Sequence, residues 1–309
     1  MVGALLGLDH GLAVLDDGSG EVRPLPVPDG DKPIAHVVRE STTWYAVAGD
    51  GGILRGSGDG GWEQIAMVES GDLVARCLAP HHSGLLIGTS EAHLLRLRQG
   101  RLERIERFDE VDGRDEWYTP WGGPPDVRSM SVGDDGTIYV NVHVGGVVRS
   151  IDHGETWQPT MDIDMDVHQV LIHPDGRGRV FAASARGLGI SEDRGASWTF
   201  LTDGLHATYC RAVAVAGDHV LVSASSGPRG REAAVFRRRL DGSGPFEKCT
   251  DGLPAWFDHN IDTFCLAARK DTAVFGTSEG AVFASADQGR SWLQAAVVPA
   301  GGIRCVALS

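Results

Sequence analysis

Three eight-residue stretches decide the fold of this chain: SIDHGETW (150–157), SEDRGASW (191–198) and SADQGRSW (285–292). All three fit the pattern SxDxGx[ST]W. The aspartate can accept hydrogen bonds from nearby backbone N–H groups and the glycine supplies a positive φ, which predicts a tight turn between two strands. The tryptophan is expected to bury its ring against the neighbouring sheet. The residues expected to be structural are Asp152, Trp157, Asp193, Trp198, Asp287 and Trp292.

A longer repeat surrounds these turns. Short apolar segments start near positions 36, 76, 128, 168, 211, 264 and 304, separated by 40, 52, 40, 43, 53 and 40 residues. Units of this length match the four-stranded blades of a β-propeller. The repeat therefore predicts an all-β, seven-bladed β-propeller that forms a single domain over residues 1–309.

The chain ends supply one blade between them. The last apolar segment is followed by no further strands, whereas the N-terminal segment contains three strand-like pieces with no first strand before them. Joining the two would leave no open edge in the ring. The predicted blades are 34–70, 74–107, 127–161, 167–202, 210–250, 262–297, and 303–309 together with 3–28.

The signature resembles the Asp-box, or BNR repeat, of bacterial sialidases, sortilin-type receptors and photosystem II assembly factors. The resemblance implies a β-propeller whose boxes join the third and fourth strands of a blade, on the face away from the usual binding site. The assembly factors are the most similar in size and blade number, and they act without catalysis. Sialidases have six blades, an N-terminal Arg-Ile-Pro-type motif and a Tyr–Glu pair, which are not evident here, so a glycosidase is the less favoured reading.

Composition argues against several partners. Asp and Glu number 42 against 28 Lys and Arg, a net charge of −14, which disfavours nucleic acid and anionic membranes. No segment approaches the roughly 20 apolar residues of a membrane helix, and the N-terminus lacks the features of a signal peptide. Five cysteines form an odd set without CxxC, which favours reduced thiols and a cytoplasmic protein.

The first residues of the innermost strands are expected to ring the channel mouth opposite the signature turns. Arginine is a planar donor fork suited to carboxylate or phosphate, so an anionic small molecule or a protein partner is the expected ligand. The alternative is that these arginines pair with Asp126, Asp166 and Asp262 and join the blades. The predicted ring is His36, Arg76, Arg128, His168, Arg211, Phe264 and Arg304.

Three long segments, 108–127, 225–233 and 249–263, are expected on the same face, where long loops are often functional. Aromatic residues in two of them could wall a pocket or anchor a partner. These candidate binding residues are Trp117, Tyr118, Trp121 and Trp256.

Four histidines are candidates for catalysis or for a divalent metal site: His143, His168, His206 and His259. Imidazoles serve as acid–base groups and as metal ligands, but no two of these share a recognised ligand spacing. Two functions stay open. One is a noncatalytic binding propeller, and the other is a metal-assisted or acid–base hydrolase or lyase acting on an anionic small molecule.

Overall fold

Short, mostly apolar segments separated by glycine-rich turns form strands along the whole chain. The computed structural model describes residues 3–16, 19–68, 73–119, 121–299 and 301–309. Within the predicted blades and the aromatic loop, Asp17, Gly18, Glu69, Ser70 and Pro120 lie outside the described residues.

The first eleven strands are β1 (Ala4–Leu8), β2 (Gly11–Leu15), β3 (Val22–Leu25), β4 (Ile34–Glu40), β5 (Thr43–Ala48), β6 (Gly52–Ser57), β7 (Gly60–Met67), β8 (Ala75–His81), β9 (Gly84–Thr89), β10 (Leu94–Arg98) and β11 (Arg101–Arg104). The next eight are β12 (Val127–Val132), β13 (Ile138–Val142), β14 (Val147–Ser150), β15 (Gln158–Pro159), β16 (Val167–Ile172), β17 (Val180–Ser184), β18 (Gly187–Ser191) and β19 (Thr199–Leu201). The last nine are β20 (Tyr209–Ala216), β21 (His219–Ser225), β22 (Ala234–Arg239), β23 (Glu247–Lys248), β24 (Leu266–Arg269), β25 (Thr272–Gly276), β26 (Ala281–Ser285), β27 (Leu293–Val297) and β28 (Ile303–Leu308).

These strands form seven four-stranded antiparallel sheets, which are the blades of a β-propeller. Blades 1 to 6 are β4–β7, β8–β11, β12–β15, β16–β19, β20–β23 and β24–β27. Blade 7 has the order β28-β1-β2-β3, with Leu5 opposite Ala307. The predicted seven-bladed fold and its closure by both chain ends are confirmed.

The hydrophobic core is divided among the contacts between blades. Buried apolar residues of the described chain form seven clusters, each shared by two adjacent blades. The cluster between blades 7 and 1, for example, contains Leu5 and Leu12 together with Ile34 and Val37. The ring is thus held together by apolar burial on both sides of every blade.

The connection between blades 2 and 3 carries helix α1 (Glu106–Asp109) and a 3-10 helix (Arg114–Glu116). Phe108 of α1 is fully buried, with its ring 5.8 Å from Trp117 and 5.1 Å from Trp157. Neither helix in the described part of the chain combines the length and apolar character needed to cross a membrane.

The three signature segments form nearly identical turns between the third and fourth strands of blades 3, 4 and 6. In the first, Ser150 Oγ donates to Asp152 Oδ1 over 2.8 Å, and Thr156 donates from its backbone N–H (2.9 Å) and its hydroxyl (2.5 Å) to the same carboxylate. Gly154 has a φ of 93° and its N–H donates to Ser150 Oγ. Side chains of the signature therefore satisfy the backbone of the turn, as its sequence predicts.

Candidate functional site

A β-bulge in the inner strand of six of the seven blades sets one residue out of the regular pairing, at the end of the strand near the channel mouth. In blade 2 the pairing of β8 with β9 shifts between Ala75 and Cys77, so Arg76 has no direct partner on the next strand. Such a bulge bends the strand and re-aims its side chain. The residues at this position in blades 1, 2, 3, 4, 5 and 7 are Ala35, Arg76, Arg128, His168, Arg211 and Arg304.

All of these side chains except that of His168, which is fully buried, line an open cavity of about 650 Å³. The cavity lies at the end of the channel where the inner strands begin. Because the strands of a blade are antiparallel, the third strand ends at the opposite end of the channel. The signature turns of blades 3, 4 and 6 follow that strand, so they lie on the face away from the cavity. All three long segments contribute to its wall: Trp121 and Asp126 from the first, Pro228 and Arg229 from the second, and His259, Asn260, Asp262 and Thr263 from the third.

The cavity carries an excess of positive charge. Five arginines line it, against three aspartates, and these are Arg76, Arg128, Arg211, Arg229 and Arg304 with Asp9, Asp126 and Asp262. The whole chain has a net charge of −14. The positive groups are therefore concentrated at this mouth, where they attract anions.

Aspartates pair with four of these arginines. Arg76 lies 3.3 Å from Asp126, and Arg304 lies 2.9 Å from Asp9. Arg128 and Arg211 share Asp262, at 3.4 and 2.6 Å. The expected pairing with arginine thus occurs for Asp126 and Asp262, with Asp262 serving two guanidinium groups, but Asp166 pairs with His143 and His168 instead.

Burial and these pairs shift the pKa values of the cavity groups. Burial raises the pKa of Asp126 despite the nearby Arg76. Burial alone would raise the pKa of Asp262 and lower that of Arg211, but their mutual attraction lowers the first and raises the second. Burial lowers the pKa of Arg128. The Asp262–Arg211 pair is therefore charged near neutral pH.

Residues 262–264, just before β24, cross the channel and form the floor of the cavity. Thr263 donates its hydroxyl to the backbone oxygen of His168 and accepts from Arg128 Nε, both over 3.3 Å. Phe264 has a φ of 65°, and its N–H donates to Gln169 Oε1. Its ring stacks on His36 with 3.8 Å between centroids. The mouth is thus a pocket with a floor.

Two of the four candidate histidines lie together: His143 lines the cavity, and His168 is buried behind it. His143 Nε2 and His168 Nε2 lie 3.0 and 3.3 Å from Asp166 Oδ1. His168 is fully buried and its Nδ1 donates to the backbone oxygen of Cys210 over 2.6 Å. Burial lowers the pKa of His168, although Asp166 opposes this. The three groups have the composition of a metal site.

The other two histidines lie elsewhere. His259 is on the rim, where it is exposed and pairs with Glu279. His206 does not line the cavity, and its ring packs between Phe236 and Trp256. The structure therefore does not bring the four histidines into one cluster.

The predicted ring differs from the structure in blades 1 and 6. Residue 35 occupies the bulge of blade 1, so His36 is one residue too far along the strand and its side chain turns into the protein. There its Nδ1 accepts a hydrogen bond from the Leu78 N–H over 3.0 Å. Phe264 lines the cavity as expected, but β24 begins only at Leu266.

Only one of the four candidate aromatic residues lines the cavity. Trp121 stands on the rim, 69% exposed, with its ring 4.8 Å from His143. Trp117 is buried in the core between blades 2 and 3, which is incompatible with its expected place in the pocket. Tyr118 is exposed away from the cavity, and Trp256 packs against Lys248.

Sequence reasoning missed Arg229, Asn260 and Thr263 in the wall and underrated Asp262, which it took only as an ion-pair partner. The available signal was the 53-residue interval before position 264, which shows that this connection is longer than most. Nothing in the sequence indicated that its end crosses the channel.

Comparison with known proteins supports the fold. No protein-family model and no curated protein matches the chain. Among solved structures, a GH74 xyloglucanase from Xanthomonas campestris is 16% identical with a TM-score of 0.61, over 86% of this chain and 45% of that one. YCF48 bound to a D1 peptide is 15% identical with a TM-score of 0.59, over 93% and 86% of the two chains.

The WD40 propeller domain of Doa1 is 13% identical with a TM-score of 0.65, over 90% of this chain and 92% of that one. The chain spans less than half of the xyloglucanase. At these identities the similarity establishes a β-propeller, shared by enzymes and binding proteins, and the activity has to be argued from the site.

Proposed function

We propose that this protein is a noncatalytic Asp-box propeller that binds an acidic ligand, either a carboxylate-bearing small molecule or an acidic segment of a protein, in the cavity at the channel mouth. The observation that carries the proposal is the excess of arginine over aspartate in this cavity of an otherwise acidic chain. Guanidinium groups bind carboxylates through paired hydrogen bonds, which are stronger than those between neutral groups.

Other features support a bound partner. The shared carboxylate of Asp262 leaves Arg128 and Arg211 with donor capacity, and both line the cavity. Arg229 is exposed on the rim and has no ion pair within the described ranges. Trp121 offers an exposed ring beside these charges, a residue type enriched at binding hot spots. YCF48, which has a similar fold, binds a peptide.

The test is ligand binding by isothermal titration with citrate and with an Asp- and Glu-rich decapeptide. We expect one site per chain for at least one probe and weaker affinity as ionic strength rises. Arg211→Gln should reduce the affinity about 10- to 100-fold, because a hydrogen bond to a charged group contributes about 1.5–3 kcal/mol. Asp262 keeps Arg128 as a partner in this variant, so the fold should survive.

Arg237→Gln is the matched control. Arg237 also pairs with an acid, Glu247 at 2.9 Å, and its side chain is only 21% exposed, but it lies on β22 and does not line the cavity. Its loss should leave affinity unchanged. Equal affinity in wild type and Arg211→Gln would reject the cavity as the binding site.

A hydrolase or lyase is the second candidate because His143, which lines the cavity, and the buried His168 both contact Asp166. Turnover of phosphate or carboxylate esters that disappears in His143→Ser would favour it over the binding protein. Either function suits a cytoplasmic protein, since all five cysteines are free and buried. Burial raises the pKa of the Cys77 thiol well above its usual range and raises that of Cys210 to about 12.

A further inference from the structure

Three polar groups converge on one point in the wall between blades 3 and 4. A backbone bridge between His143 and Asp166 holds the end of β13 against the residue before β16, and His168 follows two residues later. One ligand atom from each of the three side chains lies within 4.8 Å of the others. This places two imidazoles and one carboxylate around a common space.

Two buried ligand atoms of this group, one on His168 and one on Asp166, make no hydrogen bond of good geometry in the described structure. Because the Cys210 carbonyl can only accept, His168 Nδ1 carries the hydrogen, and Nε2 of the neutral ring presents a lone pair. That Nε2 and Asp166 Oδ1 are shielded from solvent and make no hydrogen bond of good geometry in the described structure, although His143 Nε2 lies 3.0 Å from the same carboxylate oxygen. Two buried acceptors 3.3 Å apart are costly unless a proton or a metal cation lies between them, and a metal cation could be shared by all three groups.

The fold itself does not require these histidines. In the neighbouring blade the bridge between Ser90 and Asp126 occupies the place of the bridge between His143 and Asp166. The bulge residue there is Arg76 in blade 2 and Arg128 in blade 3, where blade 4 has His168. The same backbone geometry thus forms with serine and arginine, so the pair of histidines needs another explanation.

We propose that His143, Asp166 and His168 bind a divalent first-row transition-metal ion such as Zn²⁺. Two imidazoles and a carboxylate form a common ligand set for such ions. The contacts of 3.0 and 3.3 Å between ligand atoms match the spacing of about 3.0–3.4 Å around an ion with bonds near 2.1 Å. The hydrogen bond from His168 Nδ1 to a carbonyl is the usual second contact of a metal-binding histidine.

The site is open on the cavity side. His143 lines the cavity and the Asp166 side chain is 21% exposed, whereas His168 is fully buried. A remaining coordination position would therefore face the cavity. Arg128 Nη1 lies 3.4 Å from His143 Nε2, so a water-derived or carboxylate anion at that position would lie between two positive groups and would stabilise both.

The experiment is a Zn²⁺ titration of the purified full-length chain after chelator treatment, in competition with a chromophoric chelator. We expect one tight site per chain, and Co²⁺ should give visible absorption typical of nitrogen and oxygen ligands. His143→Ser, which introduces the residue of the neighbouring blade, should lower Zn²⁺ affinity at least 100-fold and keep the wild-type fold by circular dichroism. Asp166→Asn should do the same and provides a second variant if the first does not fold.

A second histidine group supplies the control. His81, His82 and His153 also have ligand atoms within 4.8 Å of one another, and they belong to β8, to the turn after it and to the first signature turn. His82→Ser should leave the Zn²⁺ affinity unchanged. Loss of the tight site in His82→Ser with retention in His143→Ser, or no tight site in the wild type, would overturn the proposal.

The inference stands apart from the anion-binding proposal, and one variant separates them. The Arg211 side chain pairs with Asp262 and Tyr209 and contacts none of the three proposed metal-binding residues. Arg211→Gln therefore alters the anion site alone. It should weaken citrate binding and keep Zn²⁺ binding. If Arg211→Gln binds both citrate and Zn²⁺ as the wild type does, the anion-site proposal is rejected and the metal-site proposal stands.

Discussion

In the signature turns, the aspartate and serine side chains form hydrogen bonds with backbone N–H groups of the turn. In the second turn, Asp193 accepts from the Ser197 N–H over 2.9 Å and from its hydroxyl over 2.6 Å, while Ser191 donates to it over 2.8 Å. Because all of these bonds favour the ionised carboxylate, they lower the pKa of Asp193 to about 2, the Ser197 side chain having the largest effect. The signature is thus a structural device, and its repetition reports the fold rather than the chemistry.

Asp193→Asn should lower thermal stability at pH 7 and have a smaller effect at pH 3. The unfolded carboxyl has a pKa near 3.9, above its folded value, so its contribution is complete above that pH and is lost as pH falls toward 2. Melting temperatures of wild type and variant across this range check the prediction. Asp203→Asn, outside the signatures, is the control. A wild-type advantage that stays constant from pH 7 to pH 3 would contradict it.

At the scale of the strand, a shift of one position decides whether a side chain lies at the channel mouth or joins two blades. The bulge residue points into the mouth, and the next residue reaches the adjacent blade. At that second position Cys77 Sγ contacts the Val127 carbonyl, Ser129 Oγ accepts from the Val170 N–H, and His36 accepts from the Leu78 N–H. His36 is therefore a link between blades 1 and 2.

His36→Ala should reduce the free energy of unfolding by about 2–4 kcal/mol, because it leaves the buried Leu78 N–H unsatisfied and removes the ring packed on Phe264. Urea unfolding at pH 7 measures this. His36→Asn places an acceptor near the position of Nδ1 and should recover part of the loss. Equal stability of the alanine and asparagine variants would show that the hydrogen bond contributes nothing.

This strand position shows which features of the fold and of the cavity could be predicted from the sequence. The 40-residue repeat and the signature turns predicted seven blades because both depend on local patterns of apolar residues and turn residues. Five members of the predicted ring occupy bulge positions, but a bulge adds a residue without changing the apolar pattern, so Ala35 and His36 could not be told apart. Trp117 was wrongly predicted to line the pocket because its burial depends on a contact with Phe108, which belongs to helix α1.

Across the whole molecule, stability and function depend on a closed ring. Blades 1 and 6 are covered on both faces only because blade 7, which joins the two ends of the chain, lies between them. The cavity floor is supplied by the segment before blade 6, which contacts blades 3 and 4. Asp9 and Arg304, from opposite ends of the sequence, form one of the ion pairs of the cavity. Closure of the ring and formation of the cavity are therefore coupled.

Deletion of residues 301–309 should lower the melting temperature by on the order of 10 °C and abolish citrate binding. Strand β28 buries Ile303, Cys305, Val306 and Leu308, and each buried apolar side chain contributes about 1.5–3 kcal/mol. The deletion also leaves β1 with an unpaired edge, and such edges promote aggregation. Differential scanning calorimetry measures the loss, and adding a synthetic peptide of residues 301–309 should restore part of it, because the peptide can pair with β1. A melting curve identical to that of the full chain would mean that the two ends of the chain do not hold the ring closed.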